Sequence, residues 1–156
     1  MKLVNKETGL RISIEQSLID ALVLYGRNQY PKEFGGVLVG YYSDDKRTVN
    51  IIDSILPIDF KSTKTTFERG VEGLKEALEE YYKQNPSLIY IGEWHTHPDN
   101  SPIPSVTDIS AINTIINNKN TFIANPVLLI IGYSKTRVDF GFYVWFENKL
   151  FRYEPS

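Results

Sequence analysis

Cysteine is absent, and histidine occurs only twice, in the 156 residues of this chain. The missing cysteine excludes a disulfide frame, a thiol nucleophile and a thiolate metal site, so any bound metal needs imidazole and carboxylate ligands. A basic excess is also missing: 17 Lys and Arg stand against 19 Asp and Glu, for a formal net charge of −2. Proteins that hold a polyphosphate carry a clustered positive surface, so nucleic acid is not an expected partner. Long apolar runs are wanting as well. Val127 to Ile131 is far too short to span a bilayer, and Met1 to Leu10 carries Lys2, Asn5, Lys6 and Glu7 where a signal peptide needs unbroken apolar residues. The expectation is a cytoplasmic protein that engages no membrane.

What is present suits one domain over residues 1–156. With 42% hydrophobic and 13% aromatic residues, the chain can build a real core but has no room for a second. Ser13-Ile14-Glu15-Gln16 fits a capping box, and Leu18, Leu22 and Tyr25 follow at helical spacing, which predicts a helix over 14–29. Phe34 to Tyr42 and Thr48 to Ile55 are rich in β-branched and aromatic residues and flank a turn-like segment, so they read as a hairpin. Pro57 to Arg69 is polar and reads as a surface loop, with Phe67 tacking it down. Val71, Leu74, Ala77, Leu78 and Tyr81 then recur with helical period.

Leu88 to His97 reads as a strand entering a loop with three prolines, and Asp108 to about Asn117 as a helix with Ile109, Ile112, Ile115 and Ile116 on its apolar face. Val127 to Tyr133, Val138 to Phe146 and Leu150 to Tyr153 complete the set of predicted strands. Helices and strands mix without strict alternation, which predicts an α/β fold whose mixed sheet has helices packed on its faces.

Both histidines lie in Trp94-His95-Thr96-His97-Pro98. Residues i and i+2 of a strand share a face, so the two imidazoles aim at one point. Asp108 follows across a loop long enough to fold back, and three protein ligands would leave a fourth position open, as in catalytic zinc sites. Glu33 precedes Phe34-Gly35-Gly36, where two glycines permit close backbone approach, so its carboxylate is a candidate general base. Each residue also has a plainer reading. Ser105-Val106-Thr107-Asp108 fits a capping box, which explains Ser105 and Asp108 without a metal; Glu33 can be an ordinary solvated carboxylate, and Gly40 a bulge glycine.

The combination resembles a known family. Glu33-Phe-Gly-Gly-Val-Leu-Val-Gly40 is similar to the Glu-x-Gly-Gly-x-Leu-x-Gly strand of the JAMM metallopeptidases, also called JAB or MPN+ domains. His95-Thr96-His97-Pro98, six residues and then Ser105-Val106-Thr107-Asp108 fits their His-x-His-Pro-x6-Ser-x-x-Asp signature without a gap. The resemblance implies a deaminase-like three-layer α/β sandwich holding one zinc ion per chain on His95, His97 and Asp108. It also implies Glu33 as general base and Ser105 as hydrogen-bond donor to the tetrahedral intermediate. True deaminases of that fold need Pro-Cys-x-x-Cys, which a chain without cysteine lacks.

The implied substrate is a ubiquitin-like protein, or its conjugate, cut after the C-terminal tail. An extended tail would be gripped by strand addition, with Pro57 to Arg69 as one wall of the slot. The chain is similar to short prokaryotic JAB proteins of antiphage CBASS-type operons, where neighbouring E1-like and E2-like enzymes make the conjugate. Two other roles stay open: a peptidase maturing a sulfur-carrier tail, and a ubiquitin-like-binding module without activity.

Overall fold

Val127-Leu128-Leu129-Ile130-Ile131 is apolar at every position, a pattern that fits a strand covered on both faces. The computed structural model, which describes residues 1–118, 123 and 125–156, shows how both faces are covered. Strand β8 (Val127–Tyr133) sends Val127, Leu129, Ile131 and Tyr133 into one buried cluster with Ile19 and Leu22 of helix α1 (Gln16–Gln29). Its alternate residues Leu128 and Ile130 enter a second cluster with Ile112 of helix α3 (Val106–Asn117). The expected mixed sheet with helices on its faces is therefore observed.

The remaining strands are β1 (Lys2–Val4), β2 (Arg11–Ile14), β3 (Gly35–Tyr42), β4 (Thr48–Ile55), β5 (Phe60–Ser62), β6 (Phe67–Arg69), β7 (Ile89–Pro98), β9 (Val138–Phe146), β10 (Lys149–Arg152) and β11 (Glu154–Pro155). Helix α2 (Leu74–Tyr82) lies between β6 and β7 in sequence. Nine strands form one sheet in the order β10-β9-β8-β7-β3-β4-β2-β1-β11, and β5 and β6 pair separately. The β7/β8 and β2/β4 pairs are parallel and the other ladders antiparallel. Among the described residues no helix is long and apolar enough to cross a membrane.

One extended segment borders the sheet at both ends. β10 pairs with β9, β11 pairs with β1, and only Tyr153 separates β10 from β11. Tyr153 is buried, its N–H donates to Phe142 O at 2.9 Å, and Asn5 Nδ2 donates to Arg152 O at 2.8 Å. The nine-stranded sheet therefore curls until its margins meet on this strap.

Three expectations change. Ser13 is not a helix cap: it belongs to β2, opposite Asn50 of β4, and α1 starts after Glu15 without a side-chain cap. Burial of Ile12 and Ile14 against the core outweighs the local capping pattern. The polar 57–69 segment is not a plain loop, because β5 and β6 pair there. Helix α2 starts at Leu74 rather than Val71: Gly73 sits at φ 72, a left-handed conformation that ends any continuous helix through 71–74.

Candidate metal centre and its cleft

The alternation of β7 is reset just before the histidines. Opposite β3, Leu38 pairs with Gly92 and Val39 with Tyr90, so Ile91 is the extra residue of a bulge. Ile91 and Trp94 are consequently both in the core, and Thr96 faces α1, where a Cβ on Gly26 would come within 2.5 Å of its Cγ2. Glu93, His95 and His97 then project from the opposite face. Gly35 lies across from His95, and a Cβ there would stand 2.1 Å from Trp94 O and 2.8 Å from His95 Cβ. Glycine is what lets β3 run this close behind the first histidine.

The two imidazoles and Asp108 converge as the spacing predicts. His95 Nε2 and His97 Nε2 are 3.1 Å apart, and they approach Asp108 Oδ1 and Oδ2 at 3.1 and 3.2 Å. One donor atom from each of the three lies within 4.8 Å of the others. His97 Nδ1–H donates to Ser101 O at 2.9 Å, which leaves Nε2 of the neutral ring as a lone pair aimed at the cluster.

Burial opposes charge on Asp108, but hydrogen bonds and charge from His95 and His97, with the Ser105 N–H, outweigh it and hold the carboxyl well below its usual range. Burial also works against a charged His97, yet the Asp108 hydrogen bond and the Ser101 carbonyl raise its pKa overall. The cluster thus attracts positive charge. Two imidazole nitrogens and a carboxylate oxygen are a donor set that fits a borderline divalent cation.

Asp108 is held by the start of α3. Ser105 Oγ accepts from Asp108 N at 3.1 Å, and Ser105 N donates to Asp108 Oδ2 at 2.7 Å, completing a capping box. Both readings of these residues are true together: the box orients the carboxylate that meets the histidines. Ser105 itself is exposed, and its Oγ keeps its own proton free while accepting from Asp108.

Glu33 is only 7% exposed. Its N–H donates to Thr63 O at 2.8 Å, its carbonyl accepts from Ser62 Oγ, and the next residue is fixed by Phe34 N to Thr96 Oγ1 at 2.9 Å. The carboxylate lines the same cleft, about 470 Å³, as His95 and Asp108. Burial raises its pKa, with Asp108 adding to the rise and His95 and His97 pulling back. Ser105 does not line this cleft, so of the five predicted residues the structure gathers four around the cluster and places the fifth at the adjoining helix start.

The 57–69 segment contributes Phe67, Glu68 and Arg69 to the lining of the cleft. Arg69 and Tyr90 carry no signal of a site in the sequence, where Glu93 is one of several polar residues that could support the metal ligands but more often would be solvated or structural. In the structure Glu93 accepts from both. The signal that finds Glu93 is the Glu-x-His-x-His alternation, which puts it on the face of the ligands once the strand is recognised.

Comparison with known proteins identifies the family. Residues 15–143 match the family of prokaryotic homologs of the JAB domain. A CD-NTase/cGAS isopeptidase of Enterobacter hormaechei is 38% identical over 122 residues, 78% of this chain and 67% of that protein. A probable metalloprotease of Sinorhizobium fredii is 28% identical over 124 residues, 77% of this chain and 74% of that one. The solution structure of a Desulfitobacterium hafniense protein shares the fold with a TM-score of 0.66 at 18% identity, covering 90% of this chain and 88% of its own. The extent of the family match and the identity to the first of these relatives place the chain in the prokaryotic JAB-domain family.

Proposed function

We propose that the chain is a single-domain, zinc-dependent isopeptidase or peptidase that cuts after the C-terminal tail of a ubiquitin-like protein. We place it in a bacterial, CBASS-type conjugation system of the cytoplasm, beside E1-like and E2-like enzymes. The observation that carries this reading is the meeting of His95, His97 and Asp108 in one cluster, beside a cleft that His95 and Asp108 line together with a buried Glu33. The 38% identical relative, a CD-NTase/cGAS isopeptidase, supports the choice of bond.

His95, His97 and Asp108 would hold the ion through Nε2, Nε2 and a carboxylate oxygen. Bound there, zinc supplies Lewis acidity and a water acidic enough to react near neutral pH. The chain's own residues do the rest. Glu33 accepts a proton from the attacking water and delivers it to the leaving amine as the C–N bond breaks, giving a tail carboxylate and a free amine. Ser105 Oγ–H, free while Oγ accepts from Asp108, donates to the oxyanion. The outer backbone edge of β6, on the cleft wall, takes the extended tail by strand addition.

The test is a ubiquitin-like protein fused through its glycine tail to a reporter. Zinc-loaded protein should release the reporter and stop when chelator is added. A protein that carries no zinc at pH 7, or binds the fusion and leaves it whole, sinks the proposal. Maturation of a sulfur-carrier tail uses the same chemistry and differs only in the partner supplied.

A further inference from the structure

Arg69 of β6 and Glu93 of β7 meet across the cleft. Arg69 Nε and Nη2 donate to Glu93 Oε2 and Oε1 at 3.1 and 2.5 Å, and Tyr90 Oη donates to Oε1 at 3.1 Å. The side chains are only 20% and 23% exposed. Both Glu93 oxygens are therefore engaged, one of them twice, and the pair joins one wall of the cleft to the strand that carries the histidines.

The β5–β6 hairpin forms no ladder with the nine-stranded sheet. An isolated two-stranded unit is marginal, so its side-chain and loop tethers decide where it sits. One tether is apolar, at the Glu33 end: Phe60 and Phe67 pack on Phe34 with ring centroids 5.2 and 5.9 Å away. At that same end Glu33 N–H donates to Thr63 O and Ser62 Oγ donates to Glu33 O, and the Arg69–Glu93 pair is the tether at the other end. Phe67 and Arg69 are two residues apart on β6, so one face of that short strand carries both side-chain tethers, and the edge of β6 away from β5 forms no ladder among the described residues.

Cohesion alone would not require charge here. A shielded ion pair is seldom more stabilising than apolar side chains of the same volume, because desolvation offsets the attraction. What a two-point guanidinium–carboxylate contact adds is orientation. Glu93 stands one alternation before His95 on the same face, so the contact sets the tilt of β6 relative to the ligand-bearing strand.

We propose that Arg69 and Glu93, with Tyr90, form a positioning clamp that fixes the edge of β6 at the distance and angle from His95 at which an extended tail is bound. This rests on the tail-cleaving reading above. Glu33 is bound to the same hairpin at its other end, to Ser62 of β5 and to Thr63, and through Phe34 to Thr96; none of these bonds uses the Arg69–Glu93 pair, so they stay in place when the pair is removed.

The deciding variant is R69M/E93M, which removes both charges together and leaves neither unpaired. With a fluorogenic amide of a Gly-Gly tail peptide, KM should rise about tenfold or more while kcat stays within about threefold. Zinc content and Tm should stay near wild type, and the reversed pair R69E/E93R should recover part of the KM. A double variant with wild-type KM overturns the clamp, as does one in which kcat falls with KM and zinc is lost. If wild-type protein cleaves neither the peptide amide nor the fusion, the tail-cleaving reading fails first and the clamp loses its substrate. A wild type that cleaves beside an unaffected double variant refutes the clamp alone.

Discussion

Replacing Glu33 with Gln separates the chemistry of this site from its construction. Glu33 is 7% exposed and its pKa is raised, mainly by burial, so at pH 7 its charge costs folding free energy. Gln keeps the shape and removes the charge. The sign follows from linkage: a carboxyl whose folded pKa lies above its unfolded value opposes folding at high pH, and that penalty disappears as pH falls through the folded value. Metal-free Glu33→Gln should therefore melt above metal-free wild type at pH 7 in chelator, with the gap closing as the buffer is made more acidic. Activity should move the other way. Loss of a positioned acid–base group lowers kcat roughly 10²–10⁴-fold, about 3–5 kcal/mol of barrier, while zinc stoichiometry is retained. Scanning calorimetry from pH 5 to 8 and single-turnover cleavage with zinc would measure both. A variant that cleaves within a few-fold of wild type, or that melts lower than wild type without metal, refutes the role given to Glu33.

Gly35→Ala would put a Cβ 2.1 Å from Trp94 O, so β3 and β7 must part; about 1–3 kcal/mol or more of stability should go. Because His95 shifts with the strand, zinc affinity measured by competition with a chromophoric chelator should fall too. Thr96→Val leaves the buried Phe34 N–H without its acceptor at a cost of about 1–3 kcal/mol, or roughly 2–10 °C in Tm for a chain of this length. It should also lower kcat more than KM, since Phe34 is the residue that fixes Glu33. For His97, raised above its ordinary 6.5, the stability it gains from Asp108 is present below that value and lost as pH climbs through the folded pKa. Metal-free protein should therefore weaken as pH rises above the ordinary histidine value of 6.5, and added zinc should raise Tm more on the alkaline side of that value than on the acid side, which a pair of melting curves at each pH would show.

Much of the site was legible because its spacing is local. His95 and His97 needed only the two-residue period of a strand, and Ser105 with Asp108 needed only the capping pattern of a helix start. The reach of Glu33 to that cluster depends on hydrogen bonds between residues 29 to 62 apart in sequence: Ser62 and Thr63 with Glu33, and Thr96 with Phe34. No periodicity encodes such contacts. The same limit hides the short strands. β5 and β6 are three residues each, mostly polar, and become strands only by pairing with one another. β2 carries a local helix-start signal at Ser13 that burial of Ile12 and Ile14 overrides. β1 and β11 are extended because Leu3 meets Pro155, at opposite ends of the sequence.

That last pairing bears on how the molecule fails. Lys149 to Pro155 covers β9 with its first half and β1 with its second, so a single fluctuation that peels it away bares two strand edges at once. A molecule opened in this way is bivalent. Each bare margin can recruit another opened copy, and the product of such encounters is a linear chain of subunits rather than a closed dimer. Slow self-association on gentle warming, well below the melting of the core, is the behaviour this architecture favours.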